Sequence, residues 1–253
     1  MQKNLMLDEI YILAYEYHKK NNHKEAEKLY KKILKLNPEH FDSNFLLGTL
    51  SAQTTKYDQA IEFLNKAKKI QPENLNVYIN LGNVFMELKN YNEAIIVYEK
   101  LIKINPNFIA AYNNLGVIFK KKGNLSKAIS YYEKVIKLNP QNADAFNNLG
   151  LVYRDLKKYK DEENCYKKAL KINNKHANAY YNLAVANQVL GNIEQAIFLY
   201  NKAADCEPEN LIHYYHLTDL NKEMLDDKLK SKIKKIMLEK SCTKQSLAYG
   251  NFL

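Results

Sequence analysis

The sequence predicts an all-α protein, a right-handed α-solenoid of antiparallel helical hairpins, and three observations predict it. A 34-residue pattern recurs along the chain, with units that begin at Leu7, Phe41, Leu75, Ile109, Ala143, Ala177 and Leu211. All five prolines fall at position 32 of their units, and all seven glycines fall at position 8 or 15. Within each unit the apolar residues follow two stripes at helical spacing. Each repeat therefore buries its apolar face against its neighbours rather than in one shared core.

The clearest unit, residues 109–142, shows how the sequence encodes a hairpin. An apolar stripe at the i, i+3, i+4 and i+7 spacing of one helix face begins at Tyr112. Gly123 breaks this pattern, and a second stripe begins at Leu125. Pro140 ends the second helix, because proline has no N–H to donate and cannot continue a helix. The unit is therefore predicted to be two antiparallel helices.

The recurring residues resemble those of the tetratricopeptide repeat (TPR) family over residues 7–210. That family places a large residue at position 4, leucine at 7, a small residue at 8, aromatic residues at 11 and 24, alanine at 20 and 27, and proline at 32. Position 7 is occupied by Leu13, Leu47, Leu81, Leu115, Leu149, Leu183 and Leu217. Position 20 is occupied by Ala26, Ala60, Ala94, Ala128 and Ala196. Position 24 is occupied by Tyr30, Leu64, Tyr98, Tyr132, Tyr166 and Tyr200.

The domain organisation follows from this register. Residues 1–6 form a short lead, and six repeats follow at 7–40, 41–74, 75–108, 109–142, 143–176 and 177–210. Residues 211–242 read as a degenerate seventh repeat with a lysine-rich helix. Residues 243–253 resemble the start of a further first helix whose partner helix is missing, so we expect the native chain to continue past Leu253.

The last forty residues loosely resemble the junction in bacterial proteins where these repeats precede a sulfotransferase domain. That resemblance implies a downstream domain that uses 3'-phosphoadenosine-5'-phosphosulfate, and it places none of that chemistry in residues 1–253.

Position 8 is expected to be small because the two helices of a hairpin cross closest there, opposite position 20. The fifth repeat breaks this rule with Glu162 at position 20, and it has Asn174 where proline is expected. Two interpretations of Glu162 stay open. Its carboxylate reaches solvent over a buried stem, or it pairs with Arg154, the only arginine in the chain.

Composition argues against several functional classes. The net charge is +10, but the lysines recur on second helices, which the TPR family turns outward, and one arginine offers almost no bidentate recognition of phosphate or guanine. We therefore expect no nucleic-acid partner. Three cysteines without CxxC or Cys/His spacing predict neither disulfides nor a metal site. His213 and His216 share a helix face as partly exposed side chains, but no third ligand lies nearby. No apolar run is long enough to span a membrane, so a cytoplasmic location is expected.

The sequence does not predict an enzyme in this region. Catalysis requires a nucleophile, a base and a charge stabiliser at one place, and the candidates here are scattered singly with no glycine-rich phosphate loop. No cofactor is expected.

The distinctive polar feature is asparagine at position 6 of four successive repeats: Asn80, Asn114, Asn148 and Asn182. In the TPR family the first helices line the inner groove, and the glycosyltransferases that modify serine and threonine with N-acetylglucosamine carry a similar asparagine ladder that grips extended peptides. An amide carries a donor and an acceptor, so it pairs with a peptide group of any sequence. Further candidate binding residues beside the ladder are Asn83, Asn113, Asn147 and Tyr181. The alternative is that these asparagines follow the repeat consensus and are merely solvated.

These patterns predict a scaffold that binds an extended protein segment in a concave groove. The alternative function is a substrate-recruiting region of a larger transferase, either a sulfotransferase or an N-acetylglucosaminyltransferase.

Overall fold

A computed structural model describes residues 2–220 and 227–238, and these residues form helices without any strand. In chain order the helices are α1 (Gln2–Lys19), α2 (His23–Leu36), α3 (Phe41–Gln53), α4 (Tyr57–Ile70), α5 (Leu75–Glu87), α6 (Tyr91–Ile104), α7 (Ile109–Lys121), α8 (Leu125–Leu138), α9 (Ala143–Asp155), α10 (Tyr159–Ile172), α11 (Ala177–Val189), α12 (Ile193–Cys206), α13 (Leu211–Leu220) and α14 (Asp227–Leu238). The all-α class predicted from the repeat pattern is confirmed. The predicted helix start at residues 243–253 lies outside the described residues.

The chain divides into two compact units, residues 1–118 and residues 119–253, with the boundary inside α7. In the first unit α1–α2, α3–α4 and α5–α6 pack as hairpins, and α2–α3 and α4–α5 join successive hairpins. In the second unit α9–α10 and α11–α12 pack as hairpins, with α8–α9, α10–α11, α12–α13 and α13–α14 as the further contacts. None of the described helices combines the length and the apolar character that a bilayer span requires.

The tyrosine at position 24 is the largest core side chain of most repeats. Tyr30, Tyr98, Tyr132, Tyr166 and Tyr200 are all at most 1% exposed. A methyl group added at Gly82 would lie 2.6 Å from the ring of Tyr98, and one added at Gly150 would lie 2.5 Å from the ring of Tyr166. The atoms nearest to a side chain at position 8 therefore belong to position 24, a contact that the expected pairing with position 20 did not include.

The turn inside each hairpin requires a left-handed residue at position 15. Gly123 and Gly191 have φ of 74° and 81° there, as their sequence suggested. Asn21, Thr55, Lys89 and Lys157 take the same conformation in other repeats, with φ between 55° and 58°. A non-glycine residue pays about 1 kcal/mol for this conformation. In the repeats that lack glycine at position 15, packing of the two helices therefore imposes the left-handed conformation.

Tyrosine at position 4 ties three of the four repeats that carry it to the preceding turn. The hydroxyl of Tyr78 donates to the carbonyl oxygen of Pro72 at 2.6 Å, and Tyr214 donates to that of Pro208 at 3.0 Å. This bond satisfies the carbonyl of the proline that follows the preceding helix. Tyrosine at this position thus has a polar role that an apolar residue of similar size could not fill.

Neither interpretation of Glu162 matches the structure. Its side chain is buried, at 1% exposure, and Oε1 has no hydrogen-bond partner. None of the ion pairs among the described residues joins it to Arg154. Burial raises the pKa of this carboxyl, and the Arg154 charge and the neighbouring Tyr166 hydroxyl offset the effect only in part. The carboxyl occupies a site that five other repeats fill with alanine.

Replacing Glu162 with alanine should therefore stabilise the protein by about 1–3 kcal/mol at pH 7, the usual cost of an unsatisfied buried polar group. Because the folded-state pKa is raised, the folded protein binds the extra proton and loses stability as the pH rises through the acidic range. The gain should thus be larger at pH 7 than at pH 4 in urea unfolding. Glu163→Ala, which removes only a surface pair with Lys167, is the control and should change stability by less than about 0.5 kcal/mol. A Glu162→Ala protein that is less stable at both pH values would contradict this.

Candidate functional site

The predicted binding residues lie on the first helices of four repeats, and they fall into two sets. Residues 1–118 contain Asn80 and Asn83 on α5 and Asn113 and Asn114 on α7. Residues 119–253 contain Asn147 and Asn148 on α9 and Tyr181 and Asn182 on α11. We call the side chains at positions 5, 6 and 9 of the first helices the first-helix face. In residues 1–118 this face consists of Tyr11, Ile12, Tyr15, Phe45, Leu46, Thr49, Ile79, Asn80, Asn83, Asn113, Asn114 and Val117.

Asn80 is oriented by the preceding repeat. Its Nδ2 donates to Oγ1 of Thr49 at 2.9 Å, and the Thr49 hydroxyl in turn donates to the carbonyl oxygen of Phe45 at 2.9 Å. The side chain is half-buried, and its Oδ1 makes no hydrogen bond within the described parts of the chain. Asn80 therefore has one N–H fixed in place and keeps an acceptor and a second N–H for another molecule.

Asn83 and Asn114 share the hydroxyl of Tyr98. This hydroxyl donates to Oδ1 of Asn83 at 3.2 Å. Burial raises the pKa of Tyr98 to about 12, and a hydrogen bond from the Asn114 amide lowers it in part. The phenol is therefore neutral near pH 7 and remains a donor. Asn83 itself is exposed, whereas Asn114 and Asn113 are half-buried.

In the second set, Asn147 and Asn182 bond to each other rather than to solvent. Nδ2 of Asn182 donates to Oδ1 of Asn147 at 2.9 Å. The two side chains are only 7% and 6% exposed. They hold successive first helices together, which sequence reasoning did not foresee. Asn148 and Tyr181 are half-buried.

Tyr181 belongs to an aromatic cluster that α11, α12 and α13 form together. Its hydroxyl is 3.0 Å from Nε2 of His216, whose ring stacks on Tyr200 with centroids 5.1 Å apart. His213 is only 1% exposed, with Nε2 3.6 Å from the Glu207 carboxylate. The expectation that both histidines are partly exposed was wrong for His213. The sequence did indicate this burial. His213 is at position 3 of its unit, and that position holds only small or apolar residues in the five preceding repeats.

These groups favour hydrogen bonding over metal or acid–base chemistry. Burial lowers the pKa of His213 and of His216, so both rings are neutral at pH 7. Within residues 2–220 and 227–238 no three His, Cys, Asp or Glu side chains converge on a point that could hold a metal ion. The first-helix face thus presents amides, hydroxyls and aromatic rings beside aliphatic side chains.

The fold and this face define a class, the helical repeat proteins. Models of the tetratricopeptide repeat match residues 109–142, 131–164 and 165–198, and a TPR repeat model matches residues 82–123. A model for subunit 3 of the anaphase-promoting complex, or cyclosome, matches residues 19–101. A comparison with curated proteins finds no significant match.

Solved structures agree with the family models. The crystal structure of MamA is 27% identical and covers 65% of this chain and 96% of its own, with a TM-score of 0.61. A tetratricopeptide repeat protein from Parabacteroides merdae is 17% identical and covers 97% of this chain and 98% of its own, with a TM-score of 0.75. YrrB, described as a TPR protein with an unusual peptide-binding site, is 21% identical and covers 74% and 96%, with a TM-score of 0.57. The chain is a tetratricopeptide repeat protein, as its sequence predicted, and this supports a role as a protein-interaction scaffold.

The buried amide pair generates a test of its own. Asn182→Ala should lower the free energy of unfolding by about 1–3 kcal/mol, because it leaves Oδ1 of Asn147 largely buried without its donor. Asn164→Ala removes an exposed amide from α10 and is the control, with an expected change below about 0.5 kcal/mol. Urea unfolding followed by circular dichroism measures both. Equal stabilities of the two variants would show that the pair contributes nothing.

Proposed function

We propose that this chain is a non-enzymatic scaffold whose first-helix face binds an extended segment of a partner protein. In residues 1–118, Asn80 and Asn114 contact the main chain of that segment, with Asn83 and Asn113 beside them. In residues 119–253, Asn148 has the same role, and Tyr181 adds an aromatic surface. Asn147 and Asn182 support the face by joining successive first helices.

The hydrogen bond from Asn80 to Thr49 carries this proposal. A side-chain amide that is already held by its neighbour loses little conformational freedom when a ligand arrives. Its Oδ1 accepts from a peptide N–H, and its remaining N–H donates to a peptide carbonyl. Both contacts are to the main chain, so they suit an extended segment of any sequence.

The use of this fold by other proteins supports the proposal by analogy. The solved protein YrrB is described as having a peptide-binding site. A catalytic role for residues 1–253 gains no support from the described side chains. Recruitment of substrates to a downstream transferase domain would use the same face. It stays a prediction because residues 243–253 lie outside the described part of the chain.

The double variant Asn80→Ala/Asn114→Ala should weaken peptide binding about tenfold, since each lost hydrogen bond contributes about 0.5–1.5 kcal/mol. The probe is a fluorescein-labelled dodecapeptide selected from a phage-displayed library on the full chain, and fluorescence anisotropy measures its affinity. The variant should keep the helical circular dichroism spectrum of the parent.

Asn65→Ala/Asn164→Ala, which removes two amides from the second helices α4 and α10, is the matched control and should leave the affinity unchanged. Equal affinity of the parent and the Asn80→Ala/Asn114→Ala variant would rule out the amide contacts. A steep fall of affinity with salt for a nucleic-acid probe, together with no peptide binding, would point to phosphate contacts instead.

A further inference from the structure

Charge is divided between the two kinds of helix in residues 1–118. The first helices α1, α3 and α5 contain five carboxylates and two lysines. The second helices α2, α4 and α6 contain ten lysines and six carboxylates. The net charge of +10 thus conceals an acidic set of first helices. By these counts the three first helices carry a net charge of −3 and the three second helices carry +4, so a basic partner is favoured on the first helices.

The aromatic side chains of the first-helix face are concentrated in the first two repeats. The rings of Tyr11 and Tyr15 are nearly parallel, with centroids 6.3 Å apart and an angle of 12° between their planes. Phe45 stacks on Phe41 in the next first helix, with centroids 5.9 Å apart. Tyr15 is 40% exposed. Such rings offer their negative faces to a cation as well as to apolar groups.

The protein itself places a cation on one of these rings. Nζ of Lys19 lies 4.7 Å from the centroid of Tyr15, within the range of a cation–π contact. No carboxylate among the described residues pairs with Lys19 in this position. The Tyr15 ring is therefore a suitable binding surface for a positive charge. The cation of a ligand would compete with Lys19 for this ring.

A carboxylate on the next first helix lies near the same rings. His40 caps the start of α3 two residues before Asp42, and its ring centroid is 5.6 Å from that of Tyr11. Asp42 is exposed at the start of α3, and it forms none of the ion pairs found among the described residues. Its negative charge reaches Tyr11, whose pKa is raised by burial first and by Asp42 second. A guanidinium held by Asp42 would lie beside the Tyr11 ring, which combines a charged hydrogen bond with a stacking surface.

From this arrangement we infer that the first helices of residues 1–118 select a basic segment, and that Tyr11 and Tyr15 of the first-helix face, together with Asp42 at the start of α3, bind one of its arginine side chains. The inference rests on the proposed function, in which Asn80 and Asn114 bind the main chain of the same segment. The amides would supply affinity for any extended chain, and the aromatic–acidic patch would supply the preference for arginine.

The test compares two fluorescein-labelled dodecapeptides, Gly-Ser-Arg-Ala repeated three times and the same peptide with citrulline at each arginine. Citrulline keeps the shape of arginine and removes its charge. The full chain should bind the arginine peptide about tenfold more tightly, because loss of a charge-assisted contact costs about 1.4 kcal/mol or more. Asp42→Asn and Tyr15→Leu should each remove most of that difference.

Asp58→Asn, an exposed carboxylate at the start of the second helix α4, is the matched control and should preserve the difference. Lys19→Met should strengthen arginine binding by removing the competing ammonium, which a merely damaged fold would not do. The inference is overturned by equal affinity for the two peptides, by no binding of the arginine peptide up to about 1 mM, or by equal losses in Asp42→Asn and Asp58→Asn.

The Asn80→Ala/Asn114→Ala variant separates this inference from the proposed function. It should weaken the binding of the arginine peptide and of the citrulline peptide to the same extent, so the ratio of the two affinities should stay unchanged. If this variant keeps both the ratio and the affinities of the parent, the amide contacts are contradicted and the arginine site is not. Loss of affinity for the selected dodecapeptide in that variant, with no preference for arginine over citrulline in the parent, would contradict the arginine site alone.

Discussion

The contact between a small residue at position 8 and a large ring at position 24 sets the geometry on which the rest of this protein depends. In the third repeat the ring of Tyr98 lies where any side chain on Gly82 would have to go. The ring is held rigidly because it is almost fully buried and its hydroxyl is bonded. The two helices of the hairpin are thereby fixed against each other. The opposite side of the first helix is left as a surface, and this surface carries the amides.

The same tyrosine links the core to the proposed binding face. Its ring fills the hairpin, while its hydroxyl donates to Oδ1 of Asn83 and interacts with the Asn114 amide. Asn80 is fixed in a different way, through Thr49 of the preceding repeat. Packing inside one repeat and hydrogen bonds between two repeats thus orient the polar groups before any ligand is present. In the proposed function, polar groups that are fixed in this way bind an extended chain without rearranging, which limits the entropic cost of association.

Much of this architecture could be predicted from the sequence because the same packing positions recur every 34 residues along the chain. The helices, their turns and the buried tyrosines all follow from that register. Single departures from the period were less predictable. Lys89 adopts a left-handed conformation that its own chemistry disfavours, because the neighbouring helices impose it. Glu162 is buried without an ion pair, whereas the sequence left open a carboxylate that reaches solvent or a pair with Arg154. The Asn147–Asn182 bond depends on the distance between two repeats, which residue spacing alone does not contain.

The most direct measurement is a ¹H–¹⁵N NMR titration of the full chain with the selected dodecapeptide, read at the side-chain amide groups of asparagine. We expect the resonances of Asn80 and Asn114 to shift in proportion to the bound fraction, because their free donor and acceptor groups would contact the peptide main chain. The resonances of Asn65 and Asn164 on the second helices should stay in place. Shifts confined to the second helices, with Asn80 and Asn114 unchanged at saturation, would contradict binding at the first-helix face.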